Sequence, residues 1–264
     1  IRVFMAIAIF FTGHWFSSLF SQTFFLHRYG AHQMFKMNKF WERFFHLFTF
    51  ISQGSSYLNA RGYAILHRLH HAHSDTKEDP HSPSFYKSVF GMMWRTKSVY
   101  SDLVSNKMKV KESLLKNIPN WRGLEKVADN WITRVAWVAF YVAFYLLFAP
   151  SWWLLFLLPV HFLMGPIHGA IVNWCGHKYG YRNFKNTKDK SRNTLPFDFL
   201  TLGELFQNNH HHSPNRLNFG VRKWEFDPIY PIIKMMDKMA IVKIVKEKKN
   251  HFVDRVKALN LPSK

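Results

Sequence analysis

The chain has 264 residues, of which 48% are hydrophobic and 18% aromatic, yet it carries a net charge of +20. Apolar blocks alternate with basic blocks, which is the pattern of a membrane protein. The apolar runs are too long for a nucleic-acid-binding protein, and no zinc-finger, helix-turn-helix or RNA-binding signature is present. The single cysteine, Cys175, excludes an intrachain disulfide.

Residues 3–26 carry no Asp, Glu, Lys or Arg. That length exceeds the roughly 20 residues that cross a bilayer core, so it is the first expected span. His27-Arg28-Tyr29-Gly30-Ala31-His32 follows at once. Five residues apart, the two histidines lie about 140° around an ideal α-helix. They share a face only if the helix ends between them, and Gly30 offers an end; in a site with two metals each could instead take a different ion. Residues 44–60 are also uncharged, but Ser52, Gln53, Gly54, Ser55, Ser56 and Asn59 make them a poor span. A re-entrant or interfacial segment is expected there. Residues 61–134 are basic and loop-rich. They hold His67, His70 and His71, whose i, i+3, i+4 spacing predicts one shared helix face. Asp79-Pro80-His81-Ser82-Pro83 then marks a turn.

Residues 135–172 again lack Asp, Glu, Lys and Arg. As one helix they would reach about twice the hydrocarbon thickness. A break at Ala149-Pro150-Ser151 gives a hairpin of two spans, 135–149 and 151–172. Trp152 and Trp153 suit the interfacial aromatic belt. Asn173 and His177 share a face at the far end of the second arm. Residues 178–264 are basic and soluble-looking and hold Gln207-Asn208-Asn209-His210-His211-His212. In 232–259, Ile233, Met236, Ala240 and Ile244 recur among lysines, as in a basic amphipathic helix on lipid or an ordinary packed helix.

If these clusters meet at one site, the chain crosses an even number of times between them. The expected fold is an all-α integral membrane protein, one domain over 1–264. It has about three transmembrane helices, an interfacial segment at 44–60, and a cytosolic helical cap of 61–134 and 178–264. Of the 36 Lys and Arg, 35 follow His27. The positive-inside rule then puts the clusters in the cytoplasm, and the N-terminus outside unless a further helix precedes Ile1. Imidazole suits iron, zinc, copper and nickel. Eight imidazoles (His27, His32, His67, His70, His71, His177, His210 and His211) exceed what one ion holds, so two ions are expected. Asp75, Asp79, His81, Glu204 and Asn208 are candidates to support those ligands from behind. His14 and His168 lie in the apolar spans and are set aside, and His212 is expected to face solvent.

HRYGAH, HRLHH and GELFQNNHH, together with NWCGHKYG and DPHSP, resemble the histidine boxes of the membrane fatty acid desaturase family. The resemblance runs from His27 to about Pro228. It implies an O2-dependent acyl desaturase of delta-9 type in the bacterial inner membrane, its active site facing the cytoplasm. It also implies two iron ions on the eight histidines, with Asn173 acting through a bound water. The substrate would be a long acyl chain on CoA, lipid or carrier protein. Two electrons would come from a separate ferredoxin or b-type cytochrome, and no nucleic acid is involved. Two departures stand out. Gln207 replaces a histidine found in many acyl-CoA members and is retained as a weak candidate ligand. Ile65 and Leu66 stand where those members carry an Arg-Asp pair that helps hold CoA. A related di-iron lipid or alkane hydroxylase, or a carotenoid oxygenase, is the alternative.

Overall fold

The computed structural model describes residues 2–245, with the backbone alone for 2–4. Helix α1 spans Arg2–Phe20 and runs without a break into a π-helical segment, Ser21–Ala31. A short strand β1, Phe35–Lys36, leads to α2, Lys39–Gln53, whose first turn is capped by the Asn38 side chain on the Trp41 amide at 3.0 Å. The amphipathic pattern of α2 sorts its faces. Phe45, His46, Thr49 and Ser52 are buried, while Phe40, Phe44, Leu47 and Ile51 are exposed. It stops at Gly54, where φ is +51°, a left-handed conformation that favours glycine, and where the Tyr141 hydroxyl leaves no room for a Cβ.

Helix α3, Ala60–His73, starts at Asn59, whose side chain accepts from the Arg61 and Gly62 amides. It packs on α4, Val89–Val104, through Ile65, Leu66, Val99 and Leu103. After α5, Arg122–Ala128, comes α6, Trp131–Phe148, starting four residues before the expected span. Only 11% of α6 is buried although, apart from Thr133 and Arg134 in its first turn, it is strongly apolar. A core helix of a soluble protein would be mostly covered, so this surface asks for lipid. The bundle side is sealed by Ile7 of α1 against Tyr141, Tyr145, Leu154 and Leu158.

The chain turns at 149–151, as the Pro150 break predicts. The returning arm is not one straight helix over 151–172. A 3-10 stretch, Trp152–Leu157, and a short α7, Leu158–Phe162, meet α8, Met164–Lys178, at a 72° bend. Pro159 near the start of α7 and Gly165-Pro166 at the start of α8 interrupt the hydrogen-bond ladder on both sides of that bend. By length and composition α6 can cross a membrane, and so can the bent pair if it is one span.

Residues 179–206 form a loop tied by isolated bridges at Tyr181–Asn193 and Asn193–Phe206. Helix α9, Gln207–His212, carries the last histidines, and α10 spans Ile229–Lys238. The expected helix over 232–259 ends at Lys238, because Ala240 turns at φ +57° and Lys243–Ile244, β2, pairs antiparallel with β1. The rest of that expectation lies outside the described residues. The main core gathers Phe24, Phe25 and Leu26 of the π segment, Phe35, Phe206, Phe219, Ile229 and Ile233. It packs around the His27–His32 end of the first helix. The regular structure of the described residues is thus helical apart from one two-stranded pair.

Candidate metal centre

The π segment resolves the spacing of the first histidine pair. Its hydrogen bonds run from residue i to i+5, so residues five apart stand one above the other. The His32 amide donates to the His27 carbonyl at 3.0 Å, and the two rings meet edge to face at 4.9 Å between centroids. The expectation that a helix ends at Gly30 is therefore wrong. Gly30 stays inside the wide turn, where a Cβ would lie 3.2 Å from the Phe25 carbonyl.

The imidazoles fall into two groups. His27, His32, His67, His71 and His210 bring one ring nitrogen each to within 4.8 Å of one another, and His70, His177 and His211 do the same beside them. The expectation that His67, His70 and His71 point one way fails. Adjacent residues on a helix diverge by about 100°, so His70 serves one group and His71 the other. On α9, His210 and His211 split for the same reason.

The Nε2–Nε2 distances within the first group are 3.1 Å for His27–His210, 2.8 Å for His32–His67, 3.0 Å for His71–His67 and 3.0 Å for His71–His210. His70 and His211 are 3.2 Å apart in the second. With metal–nitrogen bonds of about 2.1 Å, donors at right angles around one ion lie about 3.0 Å apart. The rings thus have the donor type and spacing of a metal shell, and their number fits two ions.

Carboxylates stand behind the rings. The Nδ1 of His27 is 2.6 Å from Glu204, that of His70 2.9 Å from Asp79, that of His177 2.8 Å from Asp75, and that of His211 2.8 Å from Asp189. An Nδ1–H donated outward fixes the tautomer and leaves the Nε2 lone pair pointing inward. Burial lowers the pKa of His32, His67, His70, His71, His210 and His211, keeping them neutral and able to ligate. Burial alone would raise Asp75 and Asp189, but His177 and His211 outweigh it and hold both well below the usual carboxylate range. Burial likewise pushes Glu204 up, and His27 and Arg28 bring it below its ordinary value.

Arg28 is fully buried in the first histidine box. Its guanidinium donates to Glu204 and to Asp227, both at 2.8 Å, as well as to Thr23, and lies 3.9 Å over the Phe219 ring. One cation thereby ties the π segment to the loop before α9 and the turn before α10.

The remaining sequence candidates take various places. The His81 ring lies 4.3 Å from His70, and burial lowers its pKa to about 4. Asp79 accepts the His81 and Asp75 amides, so the DPHSP turn is wound around the carboxylate that faces His70. Asn208 does not touch the rings. It holds the Phe184 backbone, donating to its carbonyl at 3.0 Å and accepting its amide at 2.8 Å. Asn173 donates to the Gly169 carbonyl of its own helix at 2.8 Å, and the Gln207 amide nitrogen turns back to the Glu204 carbonyl at 2.6 Å. Neither belongs to the two imidazole groups. His212 does not face solvent freely but stacks on Phe184 at 3.7 Å. Asp189, Arg28 and Asp227 were missed. Arg28 had a signal, a charge directly after an uncharged run, whereas Asp189 sits among lysines with no telling spacing.

Beneath the rings is a cavity of about 860 Å³, within the usual range for ligand pockets. His67, His81, Asn173, Glu204 and Gln207 are among its lining residues, so the cavity borders the first imidazole group at His67. Leu19, Leu66, Val138, Phe162 and Val172 line its apolar length, and Lys97, Tyr100, Asp129 and Arg134 lie at its polar part.

The fatty acid desaturase family model matches residues 2–245, nearly the whole chain. The chain belongs to the fatty acid desaturase family. This desaturase is 28% identical to an acyl-CoA C20 Delta5-desaturase of Anemone leveillei, over 86% of this chain and 70% of that one. It is 28% identical to the sn-1 stearoyl-lipid 9-desaturase of Synechocystis sp., over 83% and 65% respectively. It is also 26% identical to a hex-5-enoyl-[acyl-carrier protein] acetylenase of Moorena producens, over 89% and 75%. The desaturase is thus an oxidoreductase of a membrane-associated, iron-using family, and its histidine clusters are compatible with a metal site.

Proposed function

We propose that this desaturase introduces a cis double bond of delta-9 type into a long acyl chain, using two irons and O2. The observation that carries the reading is that the first imidazole group borders, at His67, a cavity of about 860 Å³ lined largely by apolar side chains. His27, His32, His67, His71 and His210 would hold one iron, and His70, His177 and His211 the other. Asn173 would reach the second through water, with Gln207 as a weak further donor. The iron supplies O2 activation and the removal of hydrogen from unactivated methylenes.

The protein does the rest. Glu204, Asp79, Asp75 and Asp189 lock the ring tautomers. Leu19, Leu66, Phe162 and Val172 hold the chain and exclude bulk water from the reacting carbons. Tyr57, Tyr100, Lys97 and Arg134 are placed to hold the polar acyl end, and the length from there to His67 and Asn173 selects the carbons presented. The whole chain acts as one domain with about three spans, α2 lying at the interface and the histidines facing the cytoplasm of a bacterial inner membrane. A ferredoxin or b-type cytochrome supplies the electrons. The carrier is CoA, a lipid or a carrier protein.

Fatty acid profiling after expression in a heterologous host tests this. A new cis-monoene with its bond at carbon 9 is expected. A hydroxylated chain without a new double bond would favour the related hydroxylase instead.

A further inference from the structure

Between α1 and the α7–α8 bend lies a row of polar side chains that the metal chemistry does not use. His14, Ser18 and Gln22 stand four residues apart along α1 and the start of the π segment, so they follow one side of the rod. All three are buried, and so are His161 and His168 opposite them. The Nδ1 atoms of His14 and His161 are 2.6 Å apart, and the Nε2 of His161 is 2.9 Å from the Tyr145 hydroxyl. His168 meets the Trp15 ring edge-on at 4.4 Å. Helix α8 borders the same row at Gly169, where a Cβ would lie 3.9 Å from the Gln22 amide nitrogen, in ordinary contact. Gln22 itself lines the acyl cavity. The row therefore runs from His161, past Ser18 and His168, to the cavity wall.

Its hydrogen bonding is incomplete. Ser18 Oγ, Gln22 Oε1 and both ring nitrogens of His168 are buried with no protein partner. His14 Nε2 is a fifth such atom on the same seam, and leaving a buried polar atom unpaired carries the full cost of its desolvation. Interhelical adhesion does not account for them, because His168 bonds to nothing across the gap. Buried water does, since it typically makes two to four bonds to groups of this kind. Ionisable residues within apolar spans are placed there for a purpose more often than for packing.

We propose that this seam binds a file of water molecules, and that the file carries protons to the acyl cavity and product water away from it. The transport role rests on the desaturase reading. In that reaction O2, two electrons from the donor, two protons and a –CH2–CH2– unit give –CH=CH– and two waters. The two protons come from solvent, and the two waters must leave. An acyl chain lying against Leu19, Leu66 and Val172 blocks the cavity to both, so a path beside the chain is required. The seam meets the cavity at Gln22, next to the chain and not through it. His168 accepts a proton on one nitrogen and releases one from the other, while the Ser18 hydroxyl accepts and donates in the same way.

Radiolytic labelling in ¹⁸O water, on the whole protein in nanodiscs, tests the file directly. Label is expected at Trp15 and His168 and not at Leu154 in the core between α6 and α7. A seam as unlabelled as Leu154 overturns the proposal. His168→Phe tests transport, and Ser18→Ala repeats the test with loss of the hydroxyl alone. Both variants are expected to keep the metal content of the parent. They should turn over about tenfold more slowly, with a larger solvent deuterium isotope effect and more than two electrons consumed per double bond. A parent-like isotope effect and electron ratio in a variant that has lost the label overturn the transport role. If the parent is labelled but makes no double bond, the file stands and the desaturase reading is what fails.

Discussion

Asp189 accepts the Nδ1–H of His211 at 2.8 Å, from a loop that also sends the Lys190 amide to Asp75 at 2.8 Å. Asp75 in turn accepts from His177. Two of the three rings in the smaller group are thus held by carboxylates that one loop links together. The arrangement of the smaller ring group thus depends on a loop that lies outside every histidine box.

Asp189→Asn tests that dependence. The amide keeps the shape but removes the charge that raises ring basicity. Loss of such a partner typically costs about 10–100-fold in metal affinity. Iron measured after chelator challenge is expected to fall by about one equivalent of two, with thermal stability little changed. Full retention of both irons would count against a role for this carboxylate.

His70→Ala removes one of the three rings of the smaller group. The variant is expected to insert in the membrane, to lose iron, and to form no double bond. His73→Ala, three residues on and exposed, serves as the control and should retain activity. Equal loss in both variants would mean that α3 was merely disturbed.

Arg28→Met leaves Glu204 and Asp227 buried without their cation. Breaking a buried pair in this way costs about 3–5 kcal/mol. A large fall in unfolding midpoint and yield is expected. Arg28→Lys should rescue only partly, because one ammonium lacks the planar fork that reaches two carboxylates at once. Full rescue by lysine would show that charge alone suffices.

Proton linkage gives a fourth test. The imidazoles of His32, His67, His70, His71, His210 and His211 are held below 6.5 in the fold and return to that value on unfolding. Below pH 6.5 the unfolded chain therefore binds more protons than the metal-free fold, so stability rises with pH in that window. The melting temperature of metal-free protein is expected to fall as pH drops through 6.5 and to level off above it. Iron should shift the fall to lower pH, since the ion then competes with protons for the same lone pairs. A metal-free protein more stable at acid pH would contradict the buried neutral rings.

Much of this was legible in the residues. The uncharged run at 135–172 and Pro150 predicted the hairpin, and histidines at helical spacing predicted where imidazoles would gather. What escaped notice depends on geometry that spacing does not encode. His27 and His32 look misaligned on an α-helix, and only hydrogen bonds to i+5 align them. The 72° bend after Phe162 arises from where Pro159 and Gly165-Pro166 fall against their neighbours. His161 joins His14 only because of that bend, so no local pattern singled it out. Asp189 reaches His211 through loop conformation alone.

The wide winding of Ser21–Ala31 also means that one continuous rod has two pitches. Its first half is phased to lay Ile7 and Phe10 against the aromatic wall of α6. Its second half is rephased so that His27 and His32 meet the imidazoles arriving from α3 and α9. A single added or removed residue between the halves would leave each intact in sequence and turn one away from its partners.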